Sequence, residues 1–365
     1  MRVVILNAGS SSLKVSLLDD DSVVSEHEFM VAEGRIDDTQ LSTVIHSMGV
    51  VEAVGHRVVH GGPRYSKSVR IDRELISYLA SITDLAPLHL PAALSGMNAV
   101  RELLPRVPAV ACFDTAFHSR MPPAASTYAV PEEWRERFGI KRYGFHGFSH
   151  AYASRRAAEM LHRPVNELRV VTCHLGAGAS LAAVRGGRSV DTTMGFTPLE
   201  GLVMATRSGT VDAGILLYLQ RHAGMTEHEM TEALDRRGGL LALAGTSDMR
   251  EVLKRIHEGD ERAELGLEVY IHRLRALIAS MAAAMGGLDV LVFTGGVGEN
   301  APPVRAATVA GLRFLGLEIG ATLNASLSAD ADISTPGAQV PTLVIKARED
   351  VEVAREVRRV VSAPA

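Results

Sequence analysis

Hydrophobic and polar positions along the chain fall into short apolar runs separated by longer amphipathic stretches. Apolar runs at 2–6, 13–18, 52–59, 108–113, 168–174, 180–185, 289–294 and 342–346 predict strands. Helical spacing marks 91–104, 131–138, 148–161, 212–223, 226–236 and 260–285. The last is the clearest: Leu267, Ile271, Leu274, Ile278, Met281 and Met285 form one apolar stripe, and Gly286 and Gly287 end it. Thr226 and Glu229 have the spacing of a capping box. Strands alternating with helices throughout predict an α/β chain with mainly parallel or mixed sheets.

One element of this pattern occurs twice. Residues 3–18 read VVILNAGSSSLKVSLL, an apolar strand, a Gly/Ser turn and a second apolar strand. Residues 170–184 read VVTCHLGAGASLAAV, with His174 lying 167 residues after Asn7. Tight loops of small residues leave backbone N–H groups free to face an anion. Two of them imply a duplicated domain that grips phosphates.

Composition then narrows the classes. At 365 residues, about two domains are expected. The segment 115–150, rich in Pro, His and aromatic residues, is the expected place of the domain change. Apolar residues make up 47% and charged residues 22%, as in an ordinary globular protein. A net charge of −4 gives no electrostatic footprint for nucleic acid. The apolar region from Ala276 to Phe293 is broken by Gly286, Gly287 and Asp289, so no membrane span is expected. The start reads as a strand rather than a signal peptide. Cys112 and Cys173 end strand-like runs and read as buried free thiols, in keeping with a reducing cytoplasm.

Candidate chemistry lies in short polar segments. GHRVVHGG carries Arg57 and His60, LAPLHLP carries His89, and FDTAFH carries Asp114 and His118. RYGFHGFSH carries His146 and His150, TPLEGLVMATRSG carries Arg207, and ARED carries Glu349. Singly, each has a plain structural reading. Arg57 could be a surface ion pair and Asp114 a helix cap. His60, His118 and His150 read as satisfied core or surface histidines. His146 differs, because Gly144 and Gly147 on either side allow close backbone approach. Jointly, two arginines, several histidines, an Asp, an Asn and two phosphate loops are the parts for phosphoryl transfer, which needs charge neutralisation and positioning. No H-E-x-x-H run is present, which disfavours a metal-only hydrolase. Gly296, Gly298 and Ala301 after a strand, with Glu318 about 20 residues on, superficially meet a dinucleotide fingerprint. That leaves an NAD-dependent dehydrogenase as a rival from another class.

NAGSSSLK, HRVVHGG, APLH, FDTAFH, YGFHG, MGFTPLEGL, GTSDMR, FTGGVGEN and ARED, in this order over almost the whole chain, resemble the acetate kinase family. That family shares its superfamily with sugar kinases, actin and heat-shock chaperone ATPases. The resemblance implies two duplicated actin-like ATPase (ribonuclease H-like) domains with a nucleotide cleft between them. The expected domains are 1–115 plus 351–365, and 116–350, the latter nucleotide-binding and dimer-forming. The implied activity is reversible transfer of a phosphoryl group from ATP to acetate, giving acetyl phosphate and ADP, in a cytoplasmic homodimer that binds no nucleic acid and no membrane.

Carried over by motif, Asn7 and Glu349 would position Mg²⁺, with Mn²⁺ as a substitute. Lys14 and the first loop would meet the phosphates. Arg57 and Arg207 would clamp the carboxylate and the transferring group. His146 would donate to the equatorial oxygens, His89 would line the pocket, and Asp114 would orient an arginine or assist the acceptor. His174, Leu175, Gly176, Ala177 and Gly178 form the second phosphate loop. Asp248, Met249 and Arg250, with Gly296, Val297, Gly298, Glu299 and Asn300, would hold adenine and ribose. Val59, Leu88, Phe145 and Pro198 match the small apolar pocket for the methyl group. A carboxylate is already ionised at neutral pH, so no strong general base is needed for direct in-line attack. Ala177, Ala205, Phe148 and Arg348 depart from the family pattern. Ala177 removes a side-chain hydrogen bond to phosphate and so predicts weaker nucleotide binding. Propionate or butyrate kinase is the nearest rival, and a chaperone-like ATPase without an acyl pocket is a further one.

Overall fold

The structure, a computed structural model, describes residues 1–8, 12–30, 38–87, 89–325 and 329–363. They form two compact units. The first comprises Met1–Ser119, Phe145–Tyr152 and Arg348–Ala365, and the second Arg120–Gly144 and Ala153–Ala347.

The first unit is built on a mixed six-stranded sheet. Its strands are β1 (Arg2–Ala8), β2 (Ser12–Asp19), β3 (Ser22–Met30), β4 (Ala53–Val58), β5 (Val69–Arg70) and β6 (Ala109–Phe113), in the order β3-β2-β1-β4-β6-β5. β1, β4 and β6 are parallel and the rest antiparallel to their neighbours. Alternation along the central strands serves two cores. Val4, Leu6 and Val54 pack with Leu41 and Ile45 of the helix Asp38–Ser47 and Ala92, Ala93 and Val100 of Leu90–Leu103. Val3, Ile5, Ala53, Val110 and Cys112 face the last helix, Glu349–Ser362, through Val351, Val353, Ala354 and Val357. Gly55 permits that contact, since a Cβ there would lie 2.7 Å from Val357 and 2.8 Å from Ile5.

The second unit repeats this sheet. Its strands are β7 (Arg169–Leu175), β8 (Ala179–Arg185), β9 (Arg188–Thr192), β10 (Val290–Thr294), β11 (Ala331–Asp332) and β12 (Thr342–Val344), in the order β9-β8-β7-β10-β12-β11. Every neighbouring pair has the orientation of its counterpart in the first sheet. The register irregularity recurs too. It follows Leu17, opposite Val4, in the first sheet, and Ala183, opposite Val171, in the second. The repeated loop is therefore the visible part of a repeated mixed α/β unit.

All eight expected strands and all six expected helices are present within a residue or two. The long helix, Glu261–Met285, buries Ile271, Leu274, Ile278, Met281 and Met285, and ends at Gly286 with φ +70°. Small residues on β8 let it lie close to the sheet. Both halves of the Thr226–Glu229 capping box form, at 2.8 and 3.2 Å. The polar outer strands β3 and β9 and several short helices carry no clear apolar period and lie beyond the expected elements. Among the described residues no helix is long and apolar enough to cross a membrane.

Arg305 is fully buried in the second unit. It donates to the carbonyls of Gly298 and Glu299 (2.8 Å each), to Asn324 Oδ1 and to the Asn324 carbonyl (2.7 Å each). It thus satisfies the C-terminal carbonyls of the helix Gly295–Asn300, which would otherwise be orphaned. Arg305→Ala is expected to lower unfolding free energy by about 3 kcal/mol in urea titration. A loss under about 1 kcal/mol would show that those carbonyls find other donors.

Candidate functional site

In the first unit, polar residues converge at the carboxyl ends of the parallel strands. Asn7 is near the end of β1, Arg57 near the end of β4, and Asp114 follows β6 directly. Glu349 opens the last helix. Open α/β sheets place ligands at this edge. Arg57 grips Asp114 with two hydrogen bonds, Nε to Oδ1 at 3.0 Å and Nη2 to Oδ2 at 2.6 Å. Its Nη1 donates to Asn7 Oδ1 at 2.9 Å, and Asn7 Nδ2 donates to Glu349 Oε2 at 3.3 Å. Arg57 Nε lies 3.5 Å from the same Glu349 oxygen.

The electrostatics of this cluster are unequal. Asp114 is 1% exposed, Arg57 12% and Glu349 14%. Burial pushes the Asp114 carboxyl up, to about 6, against the pull of Arg57, and Glu349 adds to the rise. Burial pulls the Arg57 guanidinium down, but Asp114 and Glu349 outweigh it and hold it above its ordinary value. Two carboxylates share one guanidinium, leaving an excess negative charge at the Glu349 end. With Asn7, Glu349 supplies hard oxygen ligands suited to a divalent cation that keeps most of its water. Among the described residues no group of three or more His, Cys, Asp and Glu could hold a metal ion.

His146 adopts φ +54°, in the left-handed region that costs a non-glycine residue about 1 kcal/mol or more. Its backbone N–H donates to the Asp114 carboxylate. Gly147 makes this approach possible: a Cβ there would lie 2.8 Å from Phe117 Cβ and collide with the Asp114 carbonyl. Glycine beside His146 therefore does allow close backbone approach. His118 and His150 are buried beside it, ring centroids 5.7 Å apart, and His118 Nε2 pairs with the Phe145 carbonyl at 3.0 Å. Burial lowers His118 to about 4. His60 is buried, accepts from the Gly62 N–H at 2.8 Å, and packs edge-on to Phe145. These three behave as core histidines. Val59 and Phe145 are buried in this unit, and His89 caps the helix Leu90–Leu103 without a side-chain bond to it. Lys14 is ion-paired at 2.8 Å with Glu26 on β3. Leu88 and the loop residues Gly9, Ser10 and Ser11 lie outside the described residues.

In the second unit the corresponding strand ends build a cavity of about 510 Å³. Gly176, Ala177, Asp248, Met249, Arg250, Gly296, Val297 and Asn300 line it. The loop after β7 turns tightly, with Gly176 N–H donating to the Gly178 carbonyl at 3.0 Å. A Cβ at Gly296 would meet nothing within 4 Å, so that peptide is open to a ligand. Asp248 caps the helix Met249–His257 and pairs with Arg250. His174, Leu175, Gly178, Gly298 and Glu299 support the wall instead. The Glu299 carboxylate accepts from the Gly295 and Ala347 N–H groups at 2.9 Å each. Ala205, Leu240, Ser247, Leu253, Tyr270 and Ala301 also line the cavity and escaped the motif reading. Tyr270 lay in plain view, as the one tyrosine on the buried stripe of the long helix.

Arg207 also belongs to this unit. Its segment is clamped by backbone bonds: Ala205 N–H to the Ala177 carbonyl, and the Leu240 and Leu241 N–H groups to the Met204 and Ala205 carbonyls, at 2.9–3.1 Å. Nη1 donates to the Pro198 carbonyl at 2.6 Å, and no carboxylate hydrogen-bonds Arg207 among the described residues. Burial pulls the guanidinium below its ordinary value, with Asp235 opposing. Arg57 is thus neutralised within the protein, whereas Arg207 carries positive charge with no bonded counter-ion.

The dinucleotide reading of Gly296, Gly298 and Ala301 fails on geometry. The helix Gly295–Asn300 ends after six residues, and a new one starts at Pro302. Glu318 closes no strand and pairs with Arg313 at the surface. Both cysteines are free and buried, and burial pushes each thiol up.

The model of the Acetokinase family matches residues 34–355. An acetate kinase of Geobacillus kaustophilus is 43% identical over 390 residues, covering 98% of each chain. That of Gloeobacter violaceus is 46% identical over 399 residues, again covering 98% of each. Among solved structures, Porphyromonas gingivalis acetate kinase superposes with a TM-score of 0.90 at 35% identity, covering 99% of this chain and 100% of that one. A propionate kinase from Francisella tularensis gives 0.90 at 34% identity, covering 98% and 99%.

Arg57→Ala is expected to leave Asp114 as a buried charge without its partner, lowering stability by about 3 kcal/mol at neutral pH. Without Arg57 the Asp114 carboxyl rises above about 6, so the deficit shrinks as pH falls through that value and the neutral acid forms. Adding Asp114→Asn should restore part of the loss. Urea titrations of both variants at several pH values check this, and a pH-independent deficit would refute it.

Proposed function

Because this chain belongs to the acetokinase family, and is a phosphotransferase acting on acetate with ATP as donor, we propose the following roles for its residues. The observation that carries the reading is the contrast between the two arginines. Arg57 is ion-paired with Asp114 and Glu349 and bonded to Asn7, while among the described residues no carboxylate hydrogen-bonds Arg207.

Arg207 binds the anion under attack and takes up charge on the transferring phosphoryl group. Arg57, fixed by Asp114, presents its remaining face to the acetate carboxylate. His146, held by its N–H on Asp114, donates from its ring to the equatorial oxygens. A carboxylate oxygen of acetate attacks the terminal phosphorus in line; the new carboxyl O–P bond forms as the bond to the β-phosphate oxygen breaks, and ADP leaves with the electron pair. No proton moves, because the attacking carboxylate is already ionised at neutral pH. Glu349 and Asn7 are the residues to hold Mg²⁺ or Mn²⁺, which when bound shields the phosphate oxygens. The second-unit cavity takes adenine and ribose, with Gly176 to Gly178 and Gly296 assigned to the phosphates, and Lys14 of the first unit is assigned to the same group. Val59, Leu88, Phe145 and Pro198 receive the methyl group, and His89 lines the same pocket. The domains follow the two sheets.

A homodimer is proposed through the helix Ala213–Ala223. Ile215 and Tyr218 lie one turn apart on it and are 49% and 63% exposed, and Val211, just before its N-cap, is 37% exposed. A cytoplasmic setting agrees with the two free cysteines.

With acetate and Mg·ATP, hydroxylamine should trap acetyl phosphate, and Arg207→Ala should cut its formation by about 10³-fold. Near-parent turnover in that variant would refute its role. Comparing kcat/KM for acetate, propionate and butyrate tests the pocket, where one methylene is worth about 1–3 kcal/mol. Sedimentation of Ile215→Glu should show a monomer where the parent is a dimer.

A further inference from the structure

Arg207 is delivered by a loop, and the part of that loop it touches is pinned by side chains that no role above uses. The one hydrogen bond of its side chain among the described residues runs from Nη1 to the Pro198 carbonyl. Two residues on, Glu200 accepts from Arg142 Nη2 at 2.7 Å and, through its other oxygen, from the Tyr128 hydroxyl. Two residues back, the Phe196 N–H donates to the same hydroxyl at 3.1 Å. The loop is therefore fastened to one phenol on both sides of Pro198.

The fastening continues at both ends. Arg142 Nη1 donates to the carbonyls of Thr192, Thr193 and Met194 at 3.1–3.2 Å, fixing where the chain leaves β9. The Arg142 guanidinium lies 5.3 Å from the centre of the Tyr128 ring. Gly195 has no room for a side chain, since a Cβ would collide with the Glu200 carboxylate and the Tyr128 hydroxyl. Beyond Glu200, Gly201 and Thr210 exchange two hydrogen bonds of 3.0 Å, tying the loop to the chain just after Arg207.

The charges within the network cancel. Glu200 is paired with Arg142, and burial together with the Glu200 bond holds the Tyr128 phenol above its ordinary value, so it stays a donor. What the network contributes to Arg207 is position rather than field. We propose that Tyr128 and Glu200, held by Arg142, are positioning residues that aim Arg207 through the Pro198 carbonyl. This rests on the reading of Arg207 as the anion-binding guanidinium. Loss of the phenol oxygen releases the Phe196 N–H and one Glu200 oxygen together, and the turn at Pro198 loosens. A displacement of about 1 Å at such a group costs up to about 100-fold in rate.

The test is a double-mutant cycle on the full chain, with kcat and KM for acetate and for ATP measured by hydroxamate formation and thermal midpoints recorded. Tyr128→Phe is expected to lower kcat/KM for acetate about 10- to 100-fold, with KM for ATP within about twofold of the parent. In an Arg207→Ala background the same substitution should change kcat/KM by less than about twofold. Glu200→Gln, which keeps an acceptor for both partners, should lose less than Glu200→Ala, and it carries the cycle should Tyr128→Phe fold poorly. Independent, multiplicative losses in the double mutant, or an equal rise in KM for ATP, would overturn the proposal while leaving Arg207 in its role. Near-parent activity of Arg207→Ala would overturn both.

Discussion

A buried ion pair organises the first unit. Arg57 and Asp114 lie at the ends of adjacent parallel strands, and neither is stable in the interior without the other. Their two-point contact fixes the guanidinium plane, and that plane then directs Asn7 and, through Asn7, Glu349. The His146 N–H completes the Asp114 shell at the expense of a left-handed backbone. Arg57 and His146, 89 residues apart, thus meet on the Asp114 carboxylate, and Asn7 and Glu349 join through Arg57. The chemistry assigned to this unit depends on a pair that does its own neutralisation first.

The second unit starts from the same sheet and spends it differently. Where the first has Arg57 beside Asn7, the second has Thr294 beside His174. The charged centre is replaced by Gly295 and Gly296, and the strand ends open onto a cavity instead of an ion pair. A repeated scaffold with the same strand order and the same register irregularity therefore supports two unlike environments. One is tightly bonded and acidic in balance; the other opens onto a cavity whose wall includes the small residues Gly176, Ala177, Ala205 and Gly296.

Much of this was legible in the chain. Central strands and long helices bury one face or both, and burial leaves a period of two or of three to four that can be read directly. β3 and β9 were not legible because no residue of β3 is fully buried and the buried residues of β9, Ser189 and Thr192, are polar. The fingerprint at Gly296 misled because glycines mark close packing as readily as dinucleotide phosphates; Gly298 sits against Phe293 and Leu175. In the site, motif order pointed to Arg57, Asp114 and Glu349, yet no linear pattern shows that one arginine is ion-paired and that no carboxylate hydrogen-bonds the other among the described residues. That distinction is set by Asp114 and Asn7, at least 50 residues from Arg57, and by a turn that brings the Pro198 carbonyl to Arg207. The Tyr128–Glu200 link spans 72 residues, and only its Glu200 end lies in a motif, MGFTPLEGL.

The last helix closes the apolar face formed by Val3, Ile5 and Ala53. A ribosome makes those strands first and Val351 to Val357 last. The first sheet must wait, one face uncovered, until nearly the entire chain has emerged. The second sheet has all its strands by Val344 and can close while synthesis is still under way. The second sheet can therefore close before the first is fully covered, and the face carrying Val3, Ile5 and Ala53 is the stretch most in need of protection from aggregation on the nascent chain.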